Sequence, residues 1–441
     1  MPPQLALLLC VGLIVWLFRK DRLWRHHGSW ALLIPGAWLA IEGTRPLSYW
    51  FSPGNGGAGV DGDPVNTYSF AALIVAAILV LRKRGFNWGT FARSNKAILL
   101  IYFYFGVSVL WSDLPLVSLK RLAKEFGGVL VILVVLMEPN RVEAVKTLFV
   151  RVSYLLFPLS VVVGRYYPEM GRTYSKAGEP MFAGLASTKN SLGQTVLVLG
   201  LVLFWDLVER SKERDGPERK SQTRILIGML LLGGWLLRSS DSKTSLFCLL
   251  LGAMALWGSG RLKLMPHGKQ VLIACLAAFL CLAILDKTFN LSEVVIKALG
   301  RNPTLTGRTD IWRNVREQKT NPLIGEGFYI FWDSDKGKAV IDATLEIKSA
   351  HNGYLETYVD GGLIGDVLLG LLLLSGGGRV ISRLFEGDPL GKLGLAFWLI
   401  ALVYNMSEAS FFRLTPLWFA LLLVLIDYPS RQPLLQEAAT H

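Results

Sequence analysis

Residues 349–365, SAHNGYLETYVDGGLIG, set an imidazole, a side-chain amide, a phenol and a carboxylate at the start of one of the most apolar runs in the chain. His351 belongs to the side-chain type that titrates near neutrality. It is suited to take a proton from a hydroxyl, and a helix N-terminus behind it helps keep it neutral and basic. Asn352, Tyr354 and Glu356 follow at spacings that suit orienting the imidazole or binding an acceptor sugar. Three other segments place cations among small polar residues. Lys189 lies in GLASTKNSLGQ (184–194), Arg238 and Lys243 in RSSDSKTS (238–245), and Arg301 and Arg308 in GRNPTLTGRTDIW (300–312). Arg308 falls at a helix-start signal, where free N–H groups and the dipole favour an anion such as phosphate. A base beside fixed cations is equipment for delivering a hydroxyl to a centre whose leaving group is a phosphate. The alternatives are a structural histidine, and cations that are solvated or lie against lipid headgroups.

The elements that must position these groups are membrane helices. The chain has 441 residues, 52% hydrophobic and only 18% charged, with a mean hydropathy of +0.42. A water-soluble core of that apolarity is implausible, so the fold class expected is an all-α polytopic membrane protein. Apolar runs at 4–18, 30–41, 68–81, 97–111, 126–137, 148–164, 192–208, 225–237, 246–257, 271–285, 355–374, 393–404 and 414–427 predict about 12–13 transmembrane helices. The first run has no small-residue cleavage site behind it and is followed by Arg19, Lys20, Arg22 and Arg25, so it reads as a retained helix.

Basic residues set the orientation. Placing the loops at 19–28, 82–96, 139–146, 209–224, 261–269 and 379–392 and the C-terminal tail in the cytoplasm gives that side 24 of the 46 Lys and Arg. The opposite side, leaving out 287–350, has 11. The net charge of +13 is then largely a topology signal, and nucleic acid is not an expected partner. In this arrangement His26, His27 and His267 are cytoplasmic and His441 is the last residue, so His351 is the one histidine on the outer side. The outer cations run against the positive-inside tendency, which an anionic ligand there would explain.

The longest connection, 287–350, carries helical signals of its own. Ser292 can cap EVVIKAL before Gly300, Thr309 or Asp310 can cap IWRNVREQ, and KAVIDATLEI has spaced apolar positions. The expected organisation is N-terminal membrane helices over 1–286, a helical cap loop over 287–350, and C-terminal membrane helices with a tail over 351–441. Cys10, Cys248, Cys275 and Cys281 all fall inside apolar runs, without the spacing of a metal site or a disulfide framework. Two Asp-x-Asp triplets, Asp61/Asp63 and Asp333/Asp335, resemble carboxylate pairs that hold divalent metal, but three-residue matches in such loops are common by chance. No metal and no cofactor are expected. A transporter or flippase of lipid-linked sugars is the reading from another class. It would use Arg151 and Asp366, the charges inside the sixth and eleventh runs. A carrier concentrates its key groups near the midplane, whereas these motifs gather at outer helix ends.

GLASTKNSLGQ, SSDSKTSLF (239–247), TGRTDIW (306–312) and AHNGYLETYVDGGLIG (350–365), in that order and with a long outer loop before the last, resemble the O-antigen ligase and polysaccharide polymerase superfamily. The likeness is detailed over roughly 180–370 and extends to the span pattern. It implies a metal-independent inner-membrane glycosyltransferase of the C-type fold that moves a glycan from undecaprenyl diphosphate to an acceptor hydroxyl on the periplasmic face. The acceptor is lipid A-core for a ligase and a second lipid-linked glycan for a polymerase. In the ligases the motif histidine, an arginine before it in the large loop and an arginine in a Ser-x-Ser-Arg turn are essential. The first two match His351 and Arg308. The third position is Lys243, which keeps the charge but lacks the bidentate fork for phosphate. On this resemblance His351 is the general base, with Arg308, Lys243, Lys189, Arg238 and Arg301 around the diphosphate. The pair Lys189–Asn190 and the segment WSDLPLVSLKRL (111–122) look more like the exopolysaccharide polymerase branch.

Overall fold

A computed structural model describes residues 1–24, 29–51, 63–175, 178–211, 216–274, 308–344 and 348–428. Helices dominate: α1 (Pro3–Trp24), α2 (Leu33–Glu42), α3 (Leu47–Phe51), α4 (Pro64–Lys83), α5 (Trp88–Ser94), α6 (Lys96–Ser108), α7 (Pro115–Leu136), α8 (Arg141–Tyr166), α9 (Pro168–Gly171), α10 (Lys189–Arg210), α11 (Pro217–Ser240) and α12 (Lys243–Leu262). After the large loop's α13 (Arg308–Glu317) and α14 (Asp335–Ala343) come α15 (Gly353–Glu386), α16 (Pro389–Tyr404) and α17 (Pro416–Leu425). The strands present among the described residues are a short hairpin, β1 (Arg172–Tyr174) with β2 (Pro180–Phe182). The chain is an all-α polytopic membrane protein. Arg301, Asp61, Cys275, Cys281 and the Ser292–Gly300 helix signal lie outside the described residues, as does 275–285 of the tenth apolar run.

The other twelve runs each fall on helix. By length and apolarity α1, α4, α8, α10, α12 and α15 can cross a membrane, and α5 with α6 makes a seventh candidate, bent by 95°. The remaining runs give short helices or helices with a charged end, because several lie deep inside the bundle instead of facing lipid. In α17, PLWFALLLVL is buried on every side, as is the second half of α7, Gly127–Leu136. A helix apolar all round belongs at the centre of a bundle. α8 and α10 are largely buried beside them, while α1, α4 and α12 present leucines and aromatics such as Leu8 and Phe247 outward. The bend between α5 and α6 is held by buried Asn95. Its amide donates to Phe91 O at 2.9 Å and Asp427 O at 2.6 Å, and its oxygen accepts from Asp427 N at 2.8 Å.

Helix α15 is broken at Gly362 (φ 60°, ψ −162°). The turn at 321–327 of the large loop fills the break. Leu363 N and Ile364 N donate to Pro322 O and Leu323 O, and Glu326 N and Gly327 N donate to Val359 O and Asp360 O, all at 2.9–3.1 Å. Tyr104 Oη donates to Gly361 O at 2.6 Å. Irregular backbone at membrane depth is tolerated where protein satisfies its polar groups, as here. Thr309 and Asp310 are both helical residues of α13 (Arg308–Glu317), so neither caps it.

Candidate active site

Asn352 caps α15, its Oδ1 accepting from Tyr354 N and Leu355 N at 3.1 Å. The residue before it, His351, takes a left-handed conformation (φ 47°), which turns the chain from the large loop into the helix. Gly353 N donates to Asn405 O at 2.8 Å and Glu408 O at 3.0 Å, so the motif backbone lies directly on the α16–α17 connection. A Cβ at Gly353 would come within 2.1 Å of Asn405 Oδ1, which explains a glycine at that step.

That connection supplies the centre of the site. Glu408 Oε1 accepts from Arg308 Nη2 at 2.6 Å and from Asn190 Nδ2 at 2.8 Å. Its Oε2 faces His351 Nδ1 at 3.0 Å. The Glu408 side chain is only 9% exposed, and three donors from three separate segments offset the cost of burying its charge. With the Nδ1 proton donated to Glu408, His351 Nε2 carries the lone pair, and no described group engages it. The imidazole is 32% exposed, open to a ligand on that side. This is the geometry of an oriented base: carboxylate, imidazole, free ring nitrogen.

Four helix beginnings converge on residues 407–408. Asn190 is second in α10, Arg308 first in α13 and His351 just ahead of α15; Thr244, second in α12, hydrogen-bonds Ser407 Oγ at 3.2 Å. The positive ends of these helices and the side-chain cations make a place for an anion. Lys243, first in α12, is exposed with no partner among the described residues, as is Arg238 in the last turn of α11. Lys189 Nζ is 3.8 Å from exposed Asp241 Oδ2. His351 and Arg308 thus meet through one carboxylate. Lys189 precedes Asn190, which touches that carboxylate, and Lys243 precedes Thr244, which touches Ser407 beside it; Arg238 makes no hydrogen bond or ion pair with it among the described residues.

The polar residues after His351 face inward. Tyr354 Oη donates to Leu402 O at 3.0 Å. Glu356, 2% exposed, accepts from Ala350 N at 2.7 Å and Ser349 Oγ at 3.1 Å through Oε1, and from Trp332 Nε1 and Arg413 Nη2 at 2.9 Å through Oε2. Its contacts orient the turn that holds His351. Of the Asp-x-Asp carboxylates, Asp63 caps α4, Asp333 pairs with Arg121 at 2.7 Å and Asp335 pairs with Lys338 at 3.1 Å. Burial raises the Asp63 pKa, but hydrogen bonds from Ser48, Val65 and Asn66 outweigh it and hold the carboxyl below its usual value. Arg151 forms an ion pair with Asp21 at 2.6 Å.

Glu408, Asn190 and Arg413 were missed as site residues from sequence. A signal existed: Glu408 and Arg413 are the only charges in 393–426. Isolated charges between two apolar runs have to be paired, and here they are.

Residues 225–370 match the O-antigen ligase family model. The chain is also 25% identical over 328 residues to the exopolysaccharide production protein ExoQ of Rhizobium meliloti, covering 70% of this chain and 71% of that protein. The first match ends inside α15 and includes Lys243, Arg308 and His351.

Proposed function

We propose that this chain, a member of the O-antigen ligase and polysaccharide polymerase superfamily, transfers a glycan from undecaprenyl diphosphate to an acceptor hydroxyl at the periplasmic face of the inner membrane. The observation that carries the proposal is the Arg308–Glu408–His351 constellation, which joins a base and a cation around one buried carboxylate. His351 Nε2 takes the proton of the acceptor hydroxyl as its oxygen bonds to the anomeric carbon. The bond from that carbon to the diphosphate oxygen breaks, and the diphosphate departs with the bonding pair. Arg308 and Lys243, with Lys189 and Arg238 further out, offset its growing charge; Arg301 belongs to the same proposed set. Fixed cations aimed at a leaving group stabilise the transition state without reorganising. Asn352, Tyr354 and Glu356 orient the histidine turn. No step needs a metal or cofactor.

Between the two acceptors, a second lipid-linked glycan is favoured over lipid A-core. The similarity to an exopolysaccharide production protein over 70% of the chain supports polymerisation. The test is a reconstituted assay with a short undecaprenyl-diphosphate-linked glycan as sole substrate. A ladder of longer products is expected, and His351→Ala should reduce its rate by about 10²–10⁴-fold, the usual worth of a positioned base. Transfer only after adding lipid A-core would make the chain a ligase. Full turnover by His351→Ala would remove the base assignment. Passage of the intact lipid-linked glycan across the bilayer without any new glycosidic bond would support a flippase instead.

A further inference from the structure

Arg413 sits five residues after Glu408 in the same connection and takes no part in the chemistry described above. It is 8% exposed. Its Nη2 donates to Glu356 Oε2 at 2.9 Å and to Asp360 Oδ2 at 3.0 Å, and its guanidinium lies over the Tyr329 ring at 3.7 Å from the centroid. Three pieces of chain therefore meet at one cation: the α16–α17 connection, the first turns of α15 and the 328–333 stretch of the large loop. Phe331 and Trp332 in that stretch pack with Ile311 and Val315 of α13, the helix that begins with Arg308.

The bonds continue to the reacting group. Glu356, held by Arg413, accepts from Ala350 N and Ser349 Oγ, and Ser349 Oγ in turn accepts from His351 N at 3.1 Å. Ala350 O accepts from Trp312 Nε1 of α13 at 2.7 Å. One buried guanidinium thus ties together the backbones that carry His351, Glu408 and Arg308. Both carboxylates accept from Nη2, Nη1 donates to Phe412 O at 3.3 Å, and the guanidinium is buried under the Tyr329 ring, so it is placed as an internal tie and not as a surface ligand for a diphosphate.

We propose that Arg413 is a positioning residue for glycan transfer, acting through Glu356 to hold His351 in register with Glu408 and Arg308. This rests on the assignment of His351 as the base. Misplacing a reacting group by about 1 Å costs roughly 10²-fold in rate. Arg413→Met is therefore expected to lower kcat by about 10²-fold while leaving KM for the lipid-linked donor within about twofold. Arg413→Lys should recover part of the loss. In a His351→Ala background, Arg413→Met should cost little further, because the imidazole that it positions through Glu356 is gone.

A rise in KM with kcat unchanged would overturn the proposal and make Arg413 a donor-binding group. An equal loss with and without His351 would overturn it too, by showing an effect on the fold. If Arg413→Met does not accumulate, Glu356→Gln replaces it in the same pair of backgrounds, with the same outcomes deciding. Wild-type turnover by His351→Ala alone would instead remove the underlying base assignment and is seen separately.

Discussion

Glu408 decides what His351 can do. One oxygen takes Arg308 and Asn190, and the other fixes His351 by Nδ1, so the imidazole presents Nε2. Glu408→Gln keeps the shape but exchanges a charged acceptor for an amide whose NH₂ can face Arg308 or Nδ1. Turnover should fall by about 10³–10⁴-fold, the scale seen when the carboxylate of a catalytic histidine pair becomes an amide. KM for the donor should change far less. A turnover within about tenfold of wild type would mean that the carboxylate serves only to pair Arg308. His351 and Arg308 stood out in the sequence by residue type, an imidazole and a guanidinium in small polar motifs, and the structure brings both to one carboxylate. Glu408 was not, because its role depends on a meeting with Arg308, 100 positions earlier. Glu356 was legible as a polar group near the base but not as one buried against Arg413, for the same reason.

At the scale of elements, the site depends on two glycines. Gly362 has φ 60° and ψ −162°, a region essentially reserved for glycine, and a Cβ there would come within 2.3 Å of the Leu323 carbonyl carbon. Gly362→Ala should destabilise the protein by about 1–3 kcal/mol from backbone strain, with the clash adding to it. The change can be read as a lower unfolding temperature in detergent. An unchanged midpoint would show that the break tolerates a straight helix. Gly353→Ala acts more locally. Its methyl meets Asn405, the residue that anchors the Glu408 connection, so activity should fall more than stability, with overpacking costing about 1–3 kcal/mol. The apolar periodicity of α15 was plain in its sequence, but the break was not. DGGLIG reads as a flexible start to a span, and only the inserted 321–327 turn makes it a fixed bend. The same holds for α17 and the second half of α7. Their composition marks them as membrane-embedded, yet nothing local distinguishes a helix facing lipid from one facing protein.

For the whole molecule, charge distribution argues which side of the membrane holds the site. Arg219, Lys220 and Arg224 open α11, whereas Arg238 and Asp241 close it, next to the Lys189 and Lys243 helix starts. The two ends of one helix must lie toward opposite faces if it crosses. By the positive-inside tendency, the 24 basic residues grouped with 209–224 favour a cytoplasmic α11 start, and on the proposed orientation the site then lies on the opposite face. Cysteine labelling can test this in intact cells, since Cys10 and Cys248 are buried and the unsubstituted chain supplies the background. Asp241→Cys, at a side chain 72% exposed, should react with a membrane-impermeant maleimide without permeabilisation. Lys220→Cys should react only after the inner membrane is opened. The opposite pattern would put His351 in the cytoplasm and remove the periplasmic assignment. The proposed base and its cations would then have to serve a donor on that side, and those cations would accord with the positive-inside tendency without an anionic ligand to explain them.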